Sequence, residues 1–179
     1  TIALKARQIG YSTVVSIFEL WKALSVSHLN LIMLSIGERE ASDLLLNAKR
    51  AYRSLPPWVK DRAPKPTDNN VARMSFDNES VIKSLPGGTD PARGESVDDV
   101  VVDEWAKFAA PEDAWASIQP ITDIGGRVIG ISTARGSGNF FHTFWNSAVA
   151  RVTDFQPVFY PWWANDERNE EWYEAKKRT

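Results

Sequence analysis

Residues 5–13, Lys-Ala-Arg-Gln-Ile-Gly-Tyr-Ser-Thr, are the stretch that decides the fold of this chain. An apolar segment, residues 1–4, precedes them, and residues 12–21 follow with the pattern of a helix. Strand, glycine turn, hydroxyl residue and helix is the order of the phosphate-binding loop in nucleotide-binding α/β proteins. The N–H groups at a helix start attract anions, and Gly10 lets the backbone approach a phosphate because it has no Cβ. We therefore predict a phosphate-binding loop, with the Ser12 hydroxyl available to Mg²⁺.

The loop departs from the common pattern G-x-x-x-x-G-K-[ST] at two positions. Lys5 stands where the first glycine is expected, and Tyr11 stands where the lysine is expected. Because Lys5 and Arg7 both precede the turn, either cation can fold back over the phosphates. Taken alone, the stretch fits equally well a strand, turn and helix that bind no ligand. The candidate nucleotide-binding residues are Lys5, Arg7, Gln8, Gly10, Tyr11, Ser12 and Thr13.

Composition and charge limit the classes of function. The 179 residues suffice for one domain with a sizeable core, and 43% hydrophobic and 25% charged residues are ordinary for a globular protein. The net charge of −2 provides no overall basic field, so a nucleic-acid partner would have to meet a local patch. The absence of cysteine excludes disulfides and cysteine-rich zinc sites. No apolar run reaches the roughly 20 residues of a membrane span, so we expect no membrane partner.

Beyond the first loop, strand and helix patterns alternate. The predicted strands are residues 30–36, 97–104, 126–131 and 155–161, and the predicted helices are residues 38–55, 111–118, 139–150 and 165–178. Residues 71–77 and 80–85 flank Asn78 and Glu79 in the pattern of a hairpin. This alternation predicts an α/β fold with a mostly parallel central sheet, flanked by helices and carrying one inserted β-hairpin.

The strand pattern of residues 97–104 ends in two carboxylates, Asp103 and Glu104. Ligands of open parallel sheets bind at the carboxyl ends of the strands, so both side chains are candidates for chemistry. Asp103 can hold Mg²⁺, and Glu104 can polarise a water molecule for attack on a γ-phosphate. Taken alone, the segment fits equally a strand that runs into an acidic turn. A second group at this edge, Ser132, Thr133 and Ala134, follows the strand pattern of residues 126–131.

Together, residues 5–13, 100–104 and 132–134 resemble the ATPase domain of the large terminase subunit of tailed bacteriophages, the motor that packages DNA into capsids. Ala-Arg-Gly at residues 92–94 and Pro-Trp-Trp at residues 161–163 add to the resemblance, which covers nearly the whole chain. Several terminases are similar in having the lysine at the beginning of the loop, where Lys5 stands. The resemblance implies a P-loop NTPase fold of the ASCE type.

The resemblance also implies roles for individual residues. Lys5 or Arg7 would bind the β- and γ-phosphates of ATP, while Ser12 and Asp103 would hold Mg²⁺. Glu104 would position the attacking water, and residues 132–134 would couple loss of the γ-phosphate to movement. Arg93 matches the place of an arginine finger that acts on a neighbouring subunit, where its charge would stabilise the transferring phosphoryl group. The alternative for Arg93 is a salt bridge with a nearby carboxylate such as Glu95.

Domain boundaries and partners follow from the same resemblance. We expect residues 1–164 to be the ATPase core without its N-terminal adenine-binding segment. Residues 165–179 would be a helix or linker toward a nuclease domain outside this chain, so no nuclease activity is expected here. The implied partners are double-stranded DNA, the portal protein and the small terminase subunit. The chain itself is expected to form a homo-oligomeric ring, a pentamer on the portal. The implied location is the host cytoplasm during virion assembly, and not the finished virion.

The most basic region of the chain is residues 49–65. Six cations lie there against a single acid, Asp61; they are Lys49, Arg50, Arg53, Lys60, Arg62 and Lys65. One interpretation is a DNA-facing surface, with Arg53 and Lys60 as the contacts. The other is a solvated helix face and loop.

Two further functions remain open at this stage. A helicase-type or restriction-type translocase would share the acidic pair and the Ser-Thr-Ala segment, although such enzymes usually carry a second motor lobe. A nucleotide-binding module that has lost hydrolysis would explain the unusual Tyr11. The presence of both Asp103 and Glu104 speaks against loss of hydrolysis.

Overall fold

The structure is a computed structural model that describes residues 1–88 and 96–177. Within these residues, eight strands form one sheet in the order β3-β4-β5-β2-β6-β7-β1-β8. The strands are β1 Ile2–Lys5, β2 Asn30–Ser35, β3 Pro66–Asn70, β4 Arg73–Phe76, β5 Val81–Pro86, β6 Asp99–Val102, β7 Arg127–Ser132 and β8 Pro157–Tyr160. The helices are α1 Tyr11–Ser25, α2 Glu38–Ser54, α3 Pro57–Lys60, α4 Pro111–Asp123, α5 Phe140–Val149 and α6 Glu170–Lys177.

The sheet is mostly parallel, as predicted. β1 pairs in parallel with β7 and β8, β2 with β5 and β6, and β6 with β7. The inserted hairpin is also confirmed, because β4 and β5 pair antiparallel. The insertion contains a third strand, β3, which pairs antiparallel with β4 at the sheet edge. Its polar, exposed sequence Pro-Thr-Asp-Asn-Asn lacks the apolar alternation by which a strand is recognised, so the sequence did not predict it.

Helices cover both faces of the sheet, and β6 shows how one strand serves both. Val100 and Val102 pack into the core beneath α4 and α5, whereas Val101 packs into the core beneath α1 and α2. Successive side chains of a strand point to opposite faces, so a strand covered on both sides must be apolar throughout. This explains the uninterrupted valine run.

The strand order places the three predicted motifs side by side. β6, β7 and β1 are consecutive neighbours and run in the same direction, so their carboxyl ends lie at one edge of the sheet. Leu4 of β1 is in register with Ser132 of β7, and Val102 of β6 is in register with Gly130 of β7. The phosphate loop, the acidic pair and the Ser-Thr-Ala segment each begin at the end of one of these strands.

Three helices differ from their predicted ranges by four or more residues at one end. The first helix, α1, runs to Ser25 instead of residue 21. α4 runs to Asp123, through Pro120. The last helix is shorter than predicted, because α6 starts only at Glu170 instead of residue 165. Residues 162–164, just before the predicted range, form a 3-10 turn. Among the described residues, no helix has both the length and the apolar character to cross a membrane.

Candidate nucleotide-binding site

The phosphate loop joins β1 to α1 through a left-handed glycine. Gly10 precedes the helix with φ 76° and ψ 0°, a conformation that L-residues with a Cβ adopt at a cost. An added Cβ would meet no atom within 4 Å, so the backbone conformation, rather than crowding, requires glycine here. Without a capping side chain, the N–H groups of the first turn of α1 are left for an anion.

Ser12 and Asp103 meet across this edge of the sheet. The Ser12 hydroxyl donates a hydrogen bond to Asp103 Oδ1 at 3.0 Å, although the residues are 91 positions apart. Burial raises the pKa of Asp103, while the charge of Lys5 and the hydrogen bond from Ser12 oppose that rise. A hydroxyl and a carboxylate are oxygen ligands, and Mg²⁺ in nucleotide sites commonly takes one or two protein oxygens beside phosphates and water. The pair therefore fits Mg²⁺.

The Glu104 carboxylate joins all three motifs. Lys5 Nζ donates to Oε1 at 3.3 Å, and the Thr133 hydroxyl donates to Oε2 at 3.3 Å. Lys107 Nζ lies 2.7 Å from the same Oε2. Burial alone would raise the pKa of Glu104, but the hydrogen bond from Lys107 and the charge of Lys5 outweigh it and lower the pKa. The carboxylate is therefore held ionised, which is the form that can accept a proton.

The structure places the two candidate cations differently. The Lys5 side chain is 8% exposed and directed at Glu104, whereas Arg7 is exposed. The carbonyl oxygens of Arg7 and Gln8 accept hydrogen bonds from Arg168 Nη2 at 2.7 Å and 3.4 Å. Lys5 is therefore the cation that lies within the acidic cluster.

The remaining loop residues surround this centre. The Tyr11 ring packs against Tyr160 at the end of β8, with ring centroids 4.7 Å apart, and occupies the position where a lysine was expected. Gln8 has a left-handed backbone with φ 57°. Both Gln8 and Thr13 are exposed.

The Ser-Thr-Ala segment contacts Glu104 itself through Thr133 and the turn after Glu104 through Ser132. Thr133 reaches Glu104, as described above. The buried Ser132 hydroxyl accepts a hydrogen bond from the Ala106 N–H at 3.1 Å and donates to the Thr133 carbonyl at 3.1 Å. It thereby ties the end of β7 to the turn after Glu104. Ala134 is exposed beside them.

Some predicted residues lie away from this cluster or outside the description. Arg93 and its alternative partner Glu95 lie outside the described residues. Arg53 lies in the last turn of α2, where its Nε donates to the Lys49 carbonyl at 3.3 Å, and Lys60 in α3 donates to the Arg53 carbonyl. Because α2 starts just after the end of β2 and runs back along the sheet, its end lies opposite the nucleotide edge. The DNA-binding role of these two cations stays a prediction.

Three residues at the site were missed from the sequence: Lys107, Tyr160 and Arg168. The contact of Lys107 could have been predicted, because it stands three residues after Glu104 and a tight turn brings residues at this spacing together. Tyr160 and Arg168 are separated from the loop by about 150 or more positions, and no local pattern links them to it.

A mostly parallel sheet with a glycine turn between a strand and a helix, and with acids at the same edge at the end of another parallel strand, defines a P-loop nucleotide-binding domain. Residues 2–178 match the family model described as terminase large subunit, T4likevirus-type, N-terminal. The chain therefore belongs to the family of large terminase subunits and corresponds to their N-terminal part, which confirms the resemblance seen in the sequence.

Solved structures agree on the fold. The large terminase ATPase domain of Thermus phage P74-26 is 17% identical, with a TM-score of 0.72, and the match covers 98% of this chain and 81% of that domain. The large terminase of bacteriophage HK97 is 17% identical with a TM-score of 0.70, covering 97% and 38%. The large terminase of a thermophilic bacteriophage, in complex with ATP-γ-S, is 14% identical with a TM-score of 0.71, covering 99% and 43%. This chain thus spans less than half of the HK97 chain and of the chain solved with ATP-γ-S.

Proposed function

We propose that this chain is the ATP-hydrolysing part of a viral DNA-packaging motor, which moves double-stranded DNA into a procapsid. The observation that carries the proposal is the convergence of Lys5, Thr133 and Asp103 with its partner Ser12 around Glu104 at one sheet edge. Membership of the large terminase family supports the packaging role, and the ATP-γ-S complex of a relative supports ATP as the nucleotide. Neither the helicase-type nor the restriction-type alternative has comparable support.

The chain's own residues account for hydrolysis. The N–H groups after Gly10 and the Lys5 ammonium bind the phosphates, and Glu104 accepts a proton from the water that attacks the γ-phosphorus. Ser12 and Asp103 would hold Mg²⁺, which would neutralise charge on the phosphate oxygens. The ionised state of Glu104 suits it to this role, because a protonated carboxyl could not accept the proton.

Coupling to movement is assigned to the Ser-Thr-Ala segment. Thr133 contacts Glu104 directly, and Ser132 bonds to the turn that follows Glu104. A change at the γ-phosphate can therefore reach the end of β7 through two hydrogen bonds. Arg93 is proposed as the finger that a neighbouring subunit receives, which requires a ring. The pentamer on the portal, the portal protein, the small subunit and action in the host cytoplasm belong to the same proposal.

Glu104→Gln in the full-length subunit tests the proposal. We expect loss of ATP turnover with retained binding of a fluorescent ATP analogue, because the amide keeps the shape but cannot take the proton. Glu167→Gln, an exposed residue outside the site, is the matched control and should behave like wild type. Intact turnover in Glu104→Gln would rule out its catalytic role. Binding without phosphate release in the wild-type oligomer would favour the non-hydrolysing module.

A further inference from the structure

Among the described residues, the shortest polar contact of the Glu104 carboxylate is with Lys107. Its Nζ lies 2.7 Å from Oε2, whereas Lys5 Nζ lies 3.3 Å from Oε1. The Lys107 side chain is 32% exposed and the Lys5 side chain 8%, so Lys107 approaches from the more open side of the site. Lys107 belongs to neither the phosphate loop nor the acidic pair nor the Ser-Thr-Ala segment.

The two oxygens of Glu104 are held in different ways. Oε2 receives both the Lys107 ammonium and the Thr133 hydroxyl. Within residues 1–88 and 96–177, the hydrogen bond recorded for Oε1 comes from Lys5. Lys5 is also the cation proposed to bind the phosphates. When its ammonium turns to a nucleotide, Oε1 is released while Oε2 remains held.

We propose that Lys107 is a positioning residue for ATP hydrolysis. It anchors Oε2 of Glu104, so that Oε1 is the oxygen that accepts the proton of the attacking water. In that step the water O–H bond breaks and its proton goes to Oε1, the oxygen forms a bond to the γ-phosphorus, and the bond to the bridging oxygen of ADP breaks. This inference rests on the proposed hydrolysis and adds a residue to it.

The local backbone explains why Lys107 can hold the carboxylate without depending on the loop. Glu104 has a left-handed conformation with φ 56°, and residues 105–107 form a 3-10 turn closed by the Lys107 N–H on the Glu104 carbonyl at 2.8 Å. Trp105 within this turn is fully buried and so fixes its position. The ammonium and the carboxylate therefore lie on one short segment, and the contact can persist when Lys5 moves.

An ion pair between exposed side chains contributes little, so a matched pair elsewhere in the chain is needed for comparison. Lys177 and Glu174 have the same i, i+3 spacing and lie 2.6 Å apart, but their side chains are 50% and 47% exposed. They lie in α6 and have no contact with Glu104. Lys177→Met removes the same type of ion pair without touching the site.

The experiment measures steady-state ATP hydrolysis by the full-length subunit. We expect Lys107→Met to lower kcat by about ten-fold or more while KM for ATP changes less than about two-fold, because the carboxylate is misplaced and the phosphate contacts remain. Lys107→Arg should keep most of kcat, since it restores a cation at Oε2. Lys177→Met should match wild type.

Wild-type kcat in Lys107→Met would overturn the inference, as would equal losses in Lys107→Met and Lys107→Arg. If Lys107→Met does not fold, as judged by its thermal unfolding, Lys107→Gln replaces it, and full activity in that folded variant overturns the inference equally. Failure of the proposed function is distinguishable, since it would appear as intact turnover in Glu104→Gln. An inactive Glu104→Gln beside a fully active Lys107→Met removes only the role of Lys107.

Discussion

Glu19 gives the fold a pH dependence whose size can be worked from the structure. It lies in α1 with 1% exposure, and neither carboxylate oxygen has a hydrogen-bond partner among the described residues. Burial, and then the negative charge of Asp99, raise its pKa from 4.5 to about 7, while Lys22 and Arg127 oppose the rise. A buried group at this value carries a proton in the folded protein under conditions where the unfolded chain has lost it.

The sign of the effect follows from proton counts. Below pH 4.5 both states hold the proton, and above pH 7 neither does. In between, the folded state binds more protons, so the free energy of unfolding falls as pH rises and then levels off. For a shift of the pKa from 4.5 to about 7, the contribution of Glu19 to the free energy of unfolding falls by about 2 to 3 kcal/mol between about pH 5 and about pH 8.

Glu19→Gln removes this titration and keeps the side-chain volume. Urea unfolding followed by tryptophan fluorescence, at several pH values, gives the free energy of unfolding of both proteins. The free energy of unfolding of the variant, relative to that of wild type, should increase by about 2 to 3 kcal/mol as pH rises from about 5 to about 8. Any cost of burying the amide is constant with pH and does not change this difference. Glu167→Gln, an exposed carboxylate, should follow wild type throughout. A difference between Glu19→Gln and wild type that stays constant with pH would refute the reasoning.

Two other changes test the surroundings of the site. Arg168→Ala removes the guanidinium that holds the carbonyls of Arg7 and Gln8. We expect KM for ATP to rise by about three- to ten-fold with little change in kcat, because the loop loses this support. An unaltered KM in ATP titrations would show that the Arg168 contact does not matter for binding. Charge reversal at Arg53 and Lys60 should weaken DNA binding and make it less sensitive to salt. The slope of log affinity against log salt concentration should become smaller in magnitude by about two. Unchanged affinity and salt dependence would show that these residues do not contact DNA.

The sequence was sufficient for the positions of the motifs because of a general property of parallel sheets. Adjacent parallel strands end at the same edge, so three strand ends with polar residues imply one site. The choice between Lys5 and Arg7 was beyond the sequence, because both precede the turn. Strand alternation puts Lys5 on the same side of β1 as Ala3, which packs beneath α1 and α2, and the Lys5 ammonium contacts Glu104. Lys5 is therefore the cation that we propose for the phosphates.

The contacts of Lys107 depend on a feature that the sequence does not display. A left-handed backbone at Glu104 is costly for a residue with a Cβ, and glycine would be the expected residue for that conformation. The proposed chemistry requires a carboxylate at this position, so the surrounding packing must stabilise the conformation. Trp105 does so from within the core, where its ring packs against Trp115 and other aromatic rings of α4 and α5.

A glycine in β7 completes this support. A Cβ at Gly130 would lie 2.7 Å from the Trp105 ring, so glycine leaves the room that the indole occupies against the strand. Gly130 is in register with Val102, two residues before Glu104, which places the indole directly beneath the end of β6. Glycine inside a strand usually weakens it, but Gly130 makes room for Trp105, which anchors the turn that contains Glu104 and Lys107. The aromatic cluster thus supports the acidic site directly, because Trp105 belongs to both. The packing of Trp105 stabilises the strained backbone at Glu104 where the proposed chemistry requires it.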